Sequence, residues 1–372
     1  MEVPYLDLSY VNLNHKAALL EAVERVIDSG WTILGKQVVE FEKRWASYVG
    51  TRHAIGVANG LDAMIIALEV LGIGPGDEVI VPSNTYIATW LAVSRVGAKV
   101  IPVEPDIASF NISANAIHKA ISPKTKAAIV VHLYGRPCPM YEIMEMAESS
   151  GIYIIEDNAQ AQGAHLDGQM TGAFGHINAT SFYPGKNFGA LGDAGIITTN
   201  NEEWADQCKV YRNYGSQKKY ENELLGYNSR LDEVQAAILS VKLEFLKENN
   251  VLRTHIANTY NEQLAGIDKV LLPNVSQGNV WHIYPILVED RAALIIYLKE
   301  NGIGTLIHYP IPAHLQKAYA HLGYQLGDFP IAEKIAAEVL SLPIYPGMSR
   351  EQVFYVCEKI KDFYKKRLGG KV

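Results

Sequence analysis

The sequence predicts an α/β fold: a mainly parallel central sheet covered on both faces, followed by a smaller C-terminal α+β unit. Three observations carry this expectation. Short apolar runs alternate with helix-period segments up to residue 199, a long striped segment at 229–250 closes that region, and the pattern changes beyond it. Strands that are apolar almost without interruption are buried on both faces, which is the property of parallel sheets.

The apolar runs, in order, are "AIGVA" (54–58), "EVIVP" (78–82), "KVIPV" (99–103), "AAIVVHLYG" (127–135), "IYIIED" (152–157), "NATSFY" (178–183) and "AGIITT" (194–199). Between the first two, Leu61, Met64, Ile65, Leu68 and Leu71 recur at helical spacing and predict an amphipathic helix. In "SRLDEVQAAILSVKLEFLKENN", Leu231, Val234, Ile238, Val241 and Phe245 form one stripe of a long helix over 229–250. After it, "VWHIYPILVE" reads as a strand, "RAALIIYLKENG" as a helix stopped at Gly302, and two further helices are expected around 330–340 and 349–367. The chain of 372 residues therefore divides into two domains, 1–250 and 251–372, joined at a helix junction.

Composition narrows the functional classes. Net charge is −7, which argues against a broad basic face for nucleic acid. Cys138, Cys208 and Cys357 are odd in number and far apart, so they read as buried thiols rather than a disulfide framework. No basic leader with an apolar stretch opens the chain and no long uncharged apolar run occurs, so no membrane association is expected and the protein reads as soluble and cytoplasmic. No two histidines stand at the i,i+4 spacing of helical metal ligands, and no metal is expected.

Three positions carry chemistry. Asn59-Gly60, between a strand and a helix, suits either a capped turn or an anion held at a helix start. Asp157 closes a strand expected to be central, where ligands of open α/β sheets bind; it reads as a helix cap or as the partner of a cationic ring. Lys186, in "SFYPGKNFGALGDAG", is flanked by Gly185, Gly189 and Gly192 and reads as a phosphate anchor or a Schiff-base lysine.

Together these resemble the fold-type I, aspartate aminotransferase-like enzymes that use pyridoxal 5′-phosphate. More narrowly, the chain looks like the sugar aminotransferase family named for DegT, DnrJ, EryC1 and StrS. The resembling stretches include "VPYLDL", "GDEVIVPSNTYIATWLAV", "IEDNAQAQGA", "SFYPGKNFGALGDAG", "RNYGSQKKY", "GYNSRLDEVQAA" and "HYP", in the family's order and over nearly the whole chain. The resemblance implies Lys186 as Schiff-base lysine and proton carrier, and Asp157 as the residue keeping the ring nitrogen protonated. It also implies Tyr86 stacked on the ring, Gln160 near the cofactor's 3′-oxygen, and Gly60, Leu61 and Ser181 at the phosphate. Leu61 departs from the Ser or Thr of many relatives, removing one possible phosphate hydrogen bond.

Asn228 matches an asparagine that reaches the phosphate of a neighbouring subunit, which implies a homodimer with shared active sites. His308 and Tyr309 match the small-domain position that faces the sugar, and Tyr183 stands near it. Arg212, Lys218, Lys219 and Tyr220 form a basic, aromatic cluster suited to a nucleotide diphosphate, or simply a solvated loop. The activity implied is amino transfer from glutamate, through the pyridoxamine form of the cofactor, to a nucleotide-linked ketosugar. The closest resemblance is to enzymes acting at carbon 3 of a dTDP-linked 3-keto-6-deoxyhexose in deoxyaminosugar biosynthesis, with carbon 4 or an inositol ketone as alternatives. In the sugar dehydratases and deoxygenases of this scaffold a histidine replaces the lysine, so Lys186 argues against that chemistry. A regulatory protein without turnover is disfavoured by the full set of Lys186, Asp157 and Tyr86.

Overall fold

A computed structural model describes residues 1–218 and 220–368. A strand overlaps each of the seven apolar runs: β1 His53–Val57, β2 Glu78–Pro82, β3 Lys99–Val103, β4 Thr125–Val131, β5 Tyr153–Asp157, β6 Ile177–Ser181 and β7 Gly195–Thr199. They form one sheet in the order β1-β7-β6-β5-β4-β2-β3. β3, β2, β4, β5 and β6 pair in parallel, while β7 is antiparallel to both β1 and β6.

Alternate residues of one strand enter opposite cores, which explains the unbroken apolar runs. Val79 and Val81 pack with Leu68, Trp90, Ile129 and Ile155 on one face. Ile80 packs with Ala128, Val130, Ile154 and Met140 on the other. The helix Gly60–Val70 is less amphipathic than its spacing suggests, because Ala63, Ile66 and Ala67 are buried as well as the expected stripe. It is enclosed between the sheet and the helices Ile87–Arg95 and Glu202–Tyr211.

Two expectations are corrected in this unit. The run 127–135 is a strand only to Val131; the chain then makes a short helical turn in which Tyr134 takes φ 61°. The segment 229–250 is not one helix but two, Glu233–Leu243 and Leu246–Leu264. Leu231 precedes the first because it packs against Gly56, and Phe245 sits at the break with its ring stacked on His15 at 3.5 Å. Glu233 then accepts from the backbone N–H groups of Gly35, Gln37 and Val38, supplying the charge favoured at the start of the helix Lys36–Val49.

The C-terminal unit is built on an antiparallel sheet of β8 Val270–Leu271, β9 Tyr284–Val288 and β10 Val339–Leu342. The helix expected at 330–340 ends at Glu338, and the chain passes directly into β10. Ile256, Tyr260 and Leu264 enter this second core, so the helix Leu246–Leu264 runs past residue 250 into it. Val3 bridges to Ile303 and belongs to the same core, bringing the first residues of the chain onto the last unit. The three cysteines are buried, and burial pushes each thiol up from its ordinary pKa. Among the described residues no helix is long and apolar enough to cross a membrane.

Candidate active site

The carboxyl ends of β4, β5 and β6 converge on one site, the usual ligand position in an open α/β sheet. Asp157 ends β5 and is buried. Its Oδ2 accepts from Thr89 Oγ1 at 2.9 Å and its Oδ1 from the Ala159 N–H at 3.1 Å. Burial raises its pKa, opposed by these two hydrogen bonds and by the charge of Lys186. Among the described residues no cation forms an ion pair with it. A buried carboxylate so placed is suited to a cationic partner from outside the chain.

Behind Asp157 lies a closed polar knot. Glu156 accepts from the N–H groups of Gly172, Phe174 and Gly175 and meets His132 Nε2 at 2.8 Å. The Cys138 N–H donates to His132 Nδ1, so that nitrogen carries no proton and the imidazole is neutral, donating from Nε2 to Glu156. This fixes the end of β5 against the loop that follows it.

Lys186 stands on a loop between β6 and β7 whose base is closed by Phe182 N–H to Ala194 O and Ala190 N–H to Phe182 O, both 2.8 Å. Phe182 and Phe188 pack with Phe41 and Trp45, giving the loop a rigid apolar footing. Gly189 is required here, since a Cβ would lie 2.3 Å from Pro184 O. The half-buried lysine side chain has no hydrogen-bond acceptor among the described residues. Burial lowers its pKa to about 8, with Asp157 pulling the other way.

This depression has a measurable consequence. Only the neutral amine attacks an aldehyde, and with a pKa near 8 about a tenth is neutral at pH 7, against under about 0.1 % for an ordinary lysine. Labelling of Lys186 in the cofactor-free protein by an amine-reactive probe is expected to rise with pH through a midpoint near 8 and then level off. Peptide mass spectrometry across pH 6–11 checks it, and a midpoint above about 10 for Lys186 counts against the assignment.

An anion cradle adjoins the lysine. Asn59 caps the helix Gly60–Val70, its side chain accepting from the Asp62 N–H at 2.9 Å, while Ala63 N–H bonds to Asn59 O. The amides of Gly60 and Leu61 are left without an acceptor among the described residues. A Cβ at Gly60 would stand 2.6 Å from Ser181 Cβ, and one at Gly195 would stand 2.4 Å from the Asn59 carbonyl carbon. Glycine at both positions thus lets the helix start press against the ends of β6 and β7. Two free amides, the helix dipole and the Ser181 hydroxyl form a place for a phosphate.

Over the site, Tyr86 is 54 % exposed and opens the helix Ile87–Arg95, its ring 5.2 Å from that of Tyr309. Gln160 links the two units: its Nε2 donates to Tyr309 Oη at 3.1 Å and its Oε1 accepts from the Tyr134 N–H at 2.7 Å. Tyr134 in turn donates its hydroxyl to His308 O. His308 Nδ1 bonds to Ser341 Oγ at 2.9 Å, and burial followed by the charge of Lys186 lowers its pKa to about 4, leaving a neutral imidazole.

The sequence profile of the DegT/DnrJ/EryC1/StrS aminotransferase family matches residues 14–361. The chain belongs to this family. It is 50% identical over 363 residues to a dTDP-3-amino-3,6-dideoxy-alpha-D-galactopyranose transaminase of Aneurinibacillus thermoaerophilus, covering 97% of this chain and 99% of that one. Among solved structures, S. venezuelae DesV in complex with a ketimine intermediate superposes with a TM-score of 0.96 at 44% identity, covering 98% and 99% of the two chains. NtdA of Bacillus subtilis with bound pyridoxamine phosphate gives 0.91 at 35% identity, over 98% of this chain and 85% of that one. The protein is thus a sugar aminotransferase of a family dependent on pyridoxal 5′-phosphate. Its residues fit that cofactor: the free amides suit the phosphate, Lys186 the aldehyde, and the Asp157 carboxylate the ring nitrogen.

Among the residues expected in this aminotransferase site, Arg212 has other partners. Arg212 is buried and committed, paired with Glu42 and donating to Gly56 O at 2.8 Å. It therefore fastens a loop to β1 rather than offering a free guanidinium to a nucleotide. Lys218 pairs with Glu221, Tyr220 is exposed, and Lys219 lies outside the described residues. Tyr183 and Asn228 are exposed on the isolated chain; Asn228 bridges through its backbone to Asn213. Thr85, Thr89, Tyr134 and Ser341 escaped the sequence reading.

Proposed function

We propose that the protein transfers an amino group from glutamate to carbon 3 of a dTDP-linked 3-keto-6-deoxyhexose. The observation that carries the reaction class is the juxtaposition of Lys186, an amine of depressed pKa, with Asp157, a buried carboxylate lacking a cation of its own. The choice of sugar and carbon is supported by the relative at 50% identity, a dTDP-3-amino-3,6-dideoxy-alpha-D-galactopyranose transaminase.

Pyridoxal 5′-phosphate, when bound, supplies the electron-accepting ring and carries the amino group between donor and acceptor. Around it, Lys186 Nζ, an amine of depressed pKa, would take up and release the protons that amino transfer requires in both half-reactions. Asp157 would pair with the protonated ring nitrogen, Tyr86 would cover the ring, and Gln160 would lie on the side of the ring oxygen. Gly60, Leu61 and Ser181 hold the phosphate. His308 and Tyr309, with Tyr183 at the rim, orient the sugar through neutral hydrogen-bonding groups. Asn228, exposed on one chain, reaches the phosphate of a partner in a homodimer.

The test is incubation of cofactor-loaded protein with glutamate and a panel of dTDP-ketosugars, with the aminated carbon identified by NMR. A product carrying the amine on carbon 3 is expected. Amination only at carbon 4, or of an inositol ketone, overturns the choice of substrate; no amination of any sugar overturns the reading altogether.

A further inference from the structure

The carboxylate of Asp157 is served by a chain of two buried hydroxyls that the mechanism above does not use. Thr89 is fully buried and Thr85 nearly so. Thr89 Oγ1 donates its single proton to Asp157 Oδ2 at 2.9 Å. The contact between Thr85 Oγ1 and Thr89 Oγ1, at 3.0 Å, must therefore run from Thr85 to Thr89. Both protons of the chain point toward the carboxylate, and each bond polarises the next. The hydroxyl is also held in place: Trp90 Nε1, the next residue on the helix, donates to Pro82 O at 3.0 Å and ties the helix Ile87–Arg95 to the end of β2.

The other groups that act on Asp157 do not replace these hydroxyls. His132 is neutral, its Nδ1 accepting from Cys138. Tyr309, whose phenol feels the charge of Asp157, is buried and burial opposes its ionisation. Lys186 acts on Asp157 by charge, but it is the residue that engages the cofactor's aldehyde and is no dedicated partner. Among the described residues, what remains to stabilise the anion is the Thr89 hydroxyl and the Ala159 N–H.

We propose that Thr89, oriented by Thr85, is a positioning residue that keeps Asp157 ionised and so keeps the proton they share on the cofactor's ring nitrogen rather than on the carboxylate. This rests on the reading of Asp157 as the partner of that nitrogen. Without the hydroxyl, the anion loses a hydrogen bond and the proton shifts from the ring nitrogen toward Asp157 Oδ. A hydrogen bond to a charged group corresponds to about tenfold or more in such an equilibrium.

The experiment is solid-state 15N NMR of holoenzyme loaded with pyridoxal phosphate labelled at the ring nitrogen. Wild-type protein is expected at the protonated-pyridine position. Thr89→Val moves the resonance toward the neutral position, with the protonated-to-neutral ratio falling about tenfold; Thr85→Val moves it the same way by less. Thr89→Ser, which keeps the hydroxyl, returns it to the wild-type position. Asp157→Asn, the control, gives the neutral position. If Asp157→Asn shifts the resonance and Thr89→Val does not, the role given to Thr89 is wrong while that of Asp157 stands. If Asp157→Asn itself leaves the resonance unmoved, the reading beneath the proposal fails with it. A Thr89→Ser shift equal to that of valine assigns the effect to packing and overturns the proposal. Should Thr89→Val not fold, an unshifted Thr85→Val holoenzyme overturns it equally.

Discussion

Replacing Lys186 with alanine is expected to reduce amino transfer by at least about 10⁴-fold, since the change removes both the proton carrier and the covalent attachment of the cofactor. Among the described residues no other lysine acts on Asp157 by its charge. Lys242 is the instructive comparison, because burial lowers its pKa to about 8 as well. Its Nζ, however, donates to Gly189 O at 2.8 Å, and the charge of Asp157 is not among the influences on it. A depressed pKa alone therefore does not nominate a nucleophile; the free amine and the shared carboxylate do. Borohydride reduction of the loaded protein, followed by peptide mapping, is expected to fix the cofactor on Lys186 in wild type and in Lys242→Ala, and on no lysine in Lys186→Ala. Turnover within tenfold of wild type in Lys186→Ala sinks the assignment.

How far the site could be read from sequence depended on how local its interactions are. The end of β5 and the glycine-flanked lysine were legible because unbroken apolar strands and tight turns leave marks in consecutive residues. Thr89 was not, because its partner Asp157 lies 68 positions away and a threonine in a helix is unremarkable by itself. The knot of His132, Glu156 and the N–H groups of Gly172, Phe174 and Gly175 is invisible for the same reason. Arg212 shows the converse error. A basic residue near Lys218 and Tyr220 looks like part of a ligand cluster until Glu42, 170 positions earlier, is seen to claim it. The break at Phe245 was equally hidden, since no glycine or proline marks it and the ring of His15 packs there.

Asparagine in place of Asp157 keeps the shape of the side chain and removes its charge, so it tests what the carboxylate does without opening a cavity. The carboxylate is buried and has no ion-pair partner among the described residues; burial raises its pKa, and the Thr89 hydroxyl and the Ala159 N–H oppose that rise. A cation completing the site would stabilise the anion, and breaking a buried charge pair costs about 3–5 kcal/mol. Applied to the transition state, that range corresponds to a loss of about 10²- to 10⁴-fold in the rate of the glutamate half-reaction. Covalent attachment should survive, because the amide leaves Lys186 and the cradle at Gly60 and Leu61 in place. Single-turnover absorbance after adding glutamate gives the rate, and borohydride trapping gives the attachment. The combination expected, slow transfer with full trapping at Lys186, separates Asp157 from Lys186 in role. A variant that reacts at the wild-type rate would mean that the ring nitrogen finds its proton elsewhere and that the buried carboxylate serves only the fold.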